Sequence, residues 1–288
     1  MTQFSAPVDG FRLAYDRVGS GPPVVLMHGW PGDRYDFRSV TALLAKHATI
    51  VAPDLRGFGE SDRHLSAAPD EYSASAQARS VLGLIDELGL GSPVLAGYDV
   101  GSRVAQTIAK EHPDKVKALV ISPPLPGVGQ RILDATSLSK FWYQPFHQSP
   151  LVEGLLDGRR DAVHAYLEYF WQHWSGHRYQ PDSDELERLA ALYARPGAFV
   201  ASINYYRASA GTVAQAVSEQ SPTPQQRIAV PTVVIWPDGD ALFPVQWSDR
   251  ISEFFSDVTV RHAKGAGHFT PLEAPDLFAA TILDAVGA

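Results

Sequence analysis

The stretch "VLAGYDVGSRVAQ", residues 94–106, decides the fold. Its first four residues read as a buried strand, and "GSRVAQTIAKEH", which begins at Gly101, has the period of an amphipathic helix. Gly97 and Gly101 flank the segment between them, allowing a tight strand-to-helix turn that pushes Asp99 clear of the sheet. Aspartate is also an ordinary turn and helix-capping residue, but this setting favours a chemical role. A carboxylate there needs no base to ionise it, and the adjoining helix N-terminus favours its anion. It suits attack on saturated carbon, giving an alkyl ester that is then cleaved at its own carbonyl. Strained ethers and alkyl halides are fitting targets, whereas acyl transfer to a carboxylate would give a mixed anhydride.

Working outward, "PVVLMHG", "ATIVAPD", "KALVISP", "PTVVIW" and "VTVRHA" are further apolar runs bounded by Gly, Pro or Asp, the pattern of a parallel sheet buried on both faces. Helical periods such as "SASAQARSVLGLIDELGL" lie between strands, so the fold class is α/β. After Pro126 the alternation stops for roughly a hundred residues. There "DAVHAYLEYFWQHW", "DELERLAALYA" and "RPGAFVASINYYRASA" read as helices, the last starting near Pro196. The expected organisation is a core over 1–130, a helical cap over 131–227 that ends in the linker "SEQSPTPQQRIAVP", and a returning core over 228–288.

Composition narrows the function. A chain of 288 residues, 45% hydrophobic, can bury one large core with an insertion. Its net charge of -8 and lack of a basic stripe argue against nucleic acid or anionic membrane as partners. The absence of cysteine excludes disulfides and thiolate chemistry, and the 10 histidines show no H-E-x-x-H pairing, so no metal or cofactor is expected. No signal-peptide pattern and no apolar run of membrane-spanning length is found, which makes the cytoplasm the expected location. A homodimer is an allowed assembly that no residue specifically argues for.

Cleaving an ester on Asp99 requires a base, a group to orient it, and donors for the oxyanion. His268, in the Gly-rich "KGAGHFTPLEAP" after the last strand, is the candidate base, at the last place in the chain order nucleophile, acid, histidine. The acid is expected in "PTVVIWPDGDALFP"; Asp240 is favoured, with Asp238 taken as a turn former beside Gly239. "PLPGVGQ", after "KALVISP", holds no carboxylate. Backbone N–H groups of Trp30, in "LMHGWPGD", and of Val100 would form the oxyanion hole, with His28 bracing the loop.

With these residues in view, the chain resembles the α/β-hydrolase superfamily over nearly its whole length, and within it the epoxide hydrolases. "HGWPGD", "DLRGFGESD", "GYDVGS" and "GAGHF" carry the resemblance jointly and in order. It implies an α/β-hydrolase fold and ring opening assisted by two cap tyrosines, Tyr143 in "FWYQPFHQ" with Gln144 behind it, and Tyr206 in "INYYRAS", with neighbouring Tyr205 as competitor. Asp54, Arg56 and Gly57 are then structural. Phe141, Trp142, Phe146, Phe170, Trp171 and Trp174 suggest a small apolar epoxide as substrate, with Phe141, Trp142 and Gln144 as its contacts. Tyr98, Val100 and Ser102 depart from common family residues. A haloalkane or haloacid dehalogenase is the nearest rival, set back because Val100 is neither Trp nor Arg and only the later Arg103 is present. A non-catalytic ligand receptor on the same fold is the more distant one.

Overall fold

The computed structural model describes residues 2–64, 66–208 and 211–287. Eight strands form one sheet: β1 (Gln3–Phe4), β2 (Ala14–Val18), β3 (Pro23–Met27), β4 (Thr49–Pro53), β5 (Val94–Gly97), β6 (Ala118–Ile121), β7 (Thr232–Pro237) and β8 (Val258–Ala263). Their order is β1-β2-β4-β3-β5-β6-β7-β8. The pairs from β4 to β8 are parallel, while β1 and β2 add an antiparallel edge.

β3 to β7 are buried almost throughout, as their apolar runs require when helices cover both faces, whereas β8, at the sheet edge, carries Thr259, Arg261 and His262 and is partly exposed. The two edge strands carry no such run: β1 spans two exposed residues, and only the first half of β2 is buried. Connecting helices are α1 (Arg38–Leu44), α2 (Ala74–Glu87) and α3 (Asp99–Glu111). The chain goes from β3 to β4 on one side and then to β5 on the other, so the strand order reverses beside β3. A crevice therefore opens at the C-terminal ends of β3 and β5. It receives the 28–33 loop after β3 and Asp99 after β5.

Between β6 and β7, among the described residues, run seven helices: α4 (Ala135–Lys140), α5 (Tyr143–Gln148), α6 (Leu151–Leu156), α7 (Arg160–Trp174), α8 (Ser183–Tyr193), α9 (Ala198–Arg207) and α10 (Gly211–Ser218). They are tied to the loop after β3. Tyr193 Oη donates to the Gly32 carbonyl at 2.8 Å and accepts from Gly32 N–H at 3.0 Å. Trp30 Nε1 donates to Ser202 Oγ at 3.3 Å, and Arg188 makes a forked pair with Asp33. Burying the Trp30 indole among Tyr143, His147, Phe170, Trp174 and Tyr206 joins the insertion to the sheet through one aromatic cluster. The chain closes with α11 (Thr270–Glu273) and α12 (Pro275–Gly287). No helix among the described residues is long and apolar enough to cross a membrane.

Candidate active site

β5 runs into α3 through Tyr98, and Asp99 adopts φ 48°, a left-handed conformation unusual for a residue with a side chain. Such a backbone costs of the order of 1–3 kcal/mol and persists only where its surroundings enforce it. Here the close approach of three backbones does so. A Cβ on Gly29 would collide with the Asp99 side chain, and one on Gly101 with the Met27 carbonyl of β3. The carboxylate is left at the first position of α3, beside the free N–H groups of its first turn.

The two oxygens of Asp99 have different partners. Oδ1 accepts from Trp30 N–H at 2.7 Å, while Oδ2 lies 3.3 Å from His268 Nε2. On the other side His268 Nδ1 lies 3.0 Å from Asp240 Oδ2. Asp240 is itself fixed by Leu242 and Phe243 N–H groups, at 2.7 and 3.2 Å, both on Oδ1. Asp238, the alternative acid, instead accepts from Gly265 N–H at 2.6 Å and holds the far side of the histidine loop. Burial alone would pull the His268 pKa down, but flanking Asp240 and Asp99 outweigh it and hold the imidazole up at about 10. Both ring nitrogens then carry protons, one directed at each carboxylate.

Sequence reasoning missed what fixes the histidine loop. Glu273 accepts three backbone N–H bonds, from Gly176 at 2.8 Å, Gly267 at 2.7 Å and Phe269 at 3.1 Å. His268 N–H also donates to Trp174 O at 2.8 Å, so the loop is pinned to the end of α7. A glutamate a few residues after a histidine gives no signal in itself, because the donor that ties it across the fold, Gly176 N–H, comes from a distant segment.

Tyr143 and Tyr206 face each other with ring centroids 5.8 Å apart and planes at 89°. Burial, with Asp99 adding to it, pushes both phenols well above the ordinary tyrosine range, so they are neutral donors. Gln144 Nε2 donates to Tyr143 Oη at 3.1 Å and to Thr212 Oγ1 at 2.9 Å, and Gln144 Oε1 accepts from Thr212 N–H at 2.8 Å. The Tyr206 hydroxyl is buried without a hydrogen-bond partner among the described residues. A buried hydroxyl left unpaired is costly unless something else arrives to meet it.

These groups surround a cavity of about 20 Å³ lined by Asp99, Val100, Tyr143, Tyr205, Tyr206 and Phe243, among others. That is room for about one water, which needs roughly 10–15 Å³. Tyr205 thus shares the cavity with Tyr206, whose ring is 5.6 Å away. Phe141 packs edge-on against Phe243 at 5.9 Å. Phe141, Trp142 and Gln144 line a separate outer groove beside α10, and Trp142 is exposed there rather than set against Asp99.

Other expected residues sit apart from the chemistry. His28 accepts from Leu55 N–H at 3.0 Å through Nε2 and reaches Gly29 O at 2.9 Å through Nδ1, joining the loops after β3 and β4. Asp54 binds the Arg34 and Glu60 N–H groups, and Arg56 is satisfied by Asp9, Ser80 and Glu71. Tyr98, next to Asp99, donates to Asp36 at 2.6 Å. Asp33, Asp36 and Glu185 form a buried carboxylate trio, but Arg188 already bridges Asp33 and Glu185.

The α/β hydrolase fold family matches residues 22–275. The chain is 36% identical over 128 residues to a soluble epoxide hydrolase of Corynebacterium sp. (strain C12), covering 44% of this chain and 43% of that protein. It is 31% identical over 200 residues to a fluoroacetate dehalogenase of Burkholderia sp., covering 68% of this chain and 64% of that one. Both alignments therefore span less than two thirds of the relative's own length. The solved Bacillus megaterium epoxide hydrolase superposes with a TM-score of 0.83 at 20% identity, over 99% of this chain and 100% of that one, a likeness of fold. The chain belongs to the α/β hydrolase fold family, and its relatives there include epoxide hydrolases.

Proposed function

We propose that the protein is an epoxide hydrolase, with the helices of 131–227 acting as its cap. The observation that carries this reading is the Asp99–His268–Asp240 relay beside two neutral phenols, Tyr143 and Tyr206, that line one small cavity with Asp99.

Oδ1 of Asp99 is held by Trp30 N–H, so Oδ2 is the attacking atom. It forms a bond to one ring carbon as the carbon–oxygen bond of the epoxide breaks. The departing oxygen takes a proton from Tyr143 or Tyr206, donors whose raised pKa keeps them protonated until negative charge develops. The product of this step is a hydroxyalkyl ester on Asp99. Esterification removes the Asp99 charge, one of the two carboxylates that hold the His268 pKa up, so the imidazolium releases its Nε2 proton, which replaces the one given by the tyrosine, and neutral His268 is left as the base. It then takes a proton from water, which adds to the ester carbonyl. Oδ1 becomes the oxyanion, held by the N–H groups of Trp30 and Val100, and collapse releases a vicinal diol. His268 gives its proton to the leaving alkoxide, Asp99 keeps the oxygen of the water, and the new Asp99 carboxyl proton passes to His268, which restores the starting state.

The same relay would serve a dehalogenase, as the fluoroacetate dehalogenase relative illustrates, and one experiment separates the two. In a single turnover of styrene oxide in oxygen-18 water, the reading expects heavy oxygen in the Asp99 peptide and an unlabelled diol. Labelled diol with unlabelled Asp99 would mean that water attacks directly and would remove Asp99 as nucleophile. No diol, with halide released from chloroacetate or a chloroalkane, would give the site to dehalogenation.

A further inference from the structure

The two phenols of the catalytic cavity differ in their partners. Gln144 Nε2 donates to Tyr143 Oη at 3.1 Å, and α10 sets the direction of that bond. Thr212 N–H, which can only donate, meets Gln144 Oε1 at 2.8 Å, so the oxygen end of the amide is fixed there and its NH₂ is left for Tyr143 and Thr212 Oγ1. Gln144 is buried, and a Cβ on Gly211 would come within 2.8 Å of its Oε1, so the amide is closely held. A phenol oxygen that accepts from Gln144 keeps its own O–H for another acceptor, and Tyr143 lines the cavity with Asp99. Tyr206 lines the same cavity, but its hydroxyl meets no hydrogen-bond partner among the described residues. Burial is the largest influence on both phenols and raises both pKa values. Asp99 adds to it at Tyr143, where Gln144 and Tyr206 act in opposition, whereas Asp99, Tyr143, Tyr205 and Tyr193 all add to it at Tyr206.

A phenol gives up its proton more readily where a donor already meets the oxygen that becomes negative. We propose that Tyr143 is the phenol that gives its proton to the departing epoxide oxygen, that Gln144 is the positioning residue that selects it, and that Tyr206 holds the same oxygen by a hydrogen bond while keeping its proton. This rests on the epoxide hydrolase reading and divides between two residues a role that the reading leaves to either. As the bond from Asp99 Oδ2 to carbon forms and the ring carbon–oxygen bond breaks, the Tyr143 O–H bond breaks and its proton joins the departing oxygen. The electron pair stays on Tyr143 Oη as a phenolate, which accepts from Gln144 Nε2 until the proton released by His268 replaces the lost one. A phenolate on Tyr206 would instead lie among the rings of Trp30, Tyr143 and His147 with no amide donor on its oxygen. Gln144 thus acts through Tyr143 and not on the substrate.

The test measures single-turnover ester formation by rapid-quench mass spectrometry with 1,2-epoxypropane and 3,3,3-trifluoro-1,2-epoxypropane, on the wild type, Tyr143→Phe, Tyr206→Phe and Gln144→Met. The two epoxides have nearly the same shape, but opening at the terminal carbon leaves a much less basic oxygen in the fluorinated one, which therefore depends less on an acid. The ratio of fluorinated to plain rate should rise at least about tenfold above wild type in Tyr143→Phe and at least about threefold in Gln144→Met, and stay within about twofold in Tyr206→Phe, although that variant is slower with both substrates. Any loosening of α10 that follows loss of the Thr212 bonds in Gln144→Met affects both epoxides alike and cancels from the ratio. A ratio that rises equally in the two Phe variants, or more in Tyr206→Phe, would overturn the assignment while leaving the reaction reading in place. A wild-type ratio in Gln144→Met would remove Gln144 from it. If the wild type opens neither epoxide, the reaction reading falls and the assignment falls with it.

Discussion

Replacing Glu273 by glutamine tests whether the histidine loop is held as its hydrogen bonds indicate. The Glu273 carboxylate accepts from Gly176 and Gly267 on one oxygen and from Phe269 on the other. An amide has the same shape but one acceptor oxygen. It keeps the first pair as neutral bonds, weaker by about 1 kcal/mol each, and leaves Phe269 N–H facing an NH₂, a loss of about 1–3 kcal/mol. Burial pushes the Glu273 pKa up, so the anion is held at some cost that the amide does not incur. The net effect is a destabilisation of about 2 kcal/mol, which for a chain of 288 residues lowers Tm by roughly 3 °C. Calorimetry reads this change. Stopped-flow fluorescence with rapid-quench mass spectrometry reads the chemistry, where the ester on Asp99 should accumulate because its cleavage depends on the placement of His268 and its formation does not. A wild-type Tm with no accumulated ester would refute the reasoning and make Glu273 a bystander.

Further outcomes follow from the same geometry. Tyr206→Phe removes a donor from the departing oxygen and should slow ester formation about 10²-fold or more without changing the fold, as pre-steady-state rates would show. Gly101→Ala places a Cβ against the Met27 carbonyl of a central strand that cannot retreat, so urea unfolding should show a loss of about 3 kcal/mol. His268→Gln should trap the Asp99 ester, visible as substrate mass added to the intact protein. It should also flatten the pH dependence of stability. The His268 pKa is raised from 6.5 to about 10, so its contribution is complete below about pH 6.5 and is lost as pH rises toward 10. A wild-type Tm no more sensitive than that of His268→Gln across this window would contradict the assigned shift.

The legible parts of the chain were those in which one local pattern carries the whole message. A buried parallel strand must be largely apolar, and a strained turn needs glycine at its sides, so β3 to β7 and Asp99 stand out. His268 could be read because the glycines around it mark a loop after the last strand. Glu273 could not be read, since the contact that ties it across the fold, from Gly176 N–H, comes from a segment far away in the chain. The edge strand β2 was hidden for a different reason: with half its length exposed, "AYDRV" has no apolar run. Trp142 shows the limit of composition, because an aromatic beside Tyr143 in sequence still faces the outer groove, on the other side of a short helix turn.

The smallness of the catalytic cavity, about 20 Å³, has a bearing on selectivity. If a substrate enters only after displacement of the surrounding side chains or helices, binding draws on a conformation that the unliganded protein visits. The apparent affinity for each substrate is the intrinsic one scaled by the fraction of molecules in that conformation. Since the fraction belongs to the unliganded protein, it multiplies the kcat/KM of all competing substrates alike and cancels when two of them are compared. Substitutions that loosen the helices around Gln144 and Thr212 should therefore raise turnover of every substrate at low concentration while leaving the enantiomeric and regiochemical ratios where the contacts inside the cavity set them.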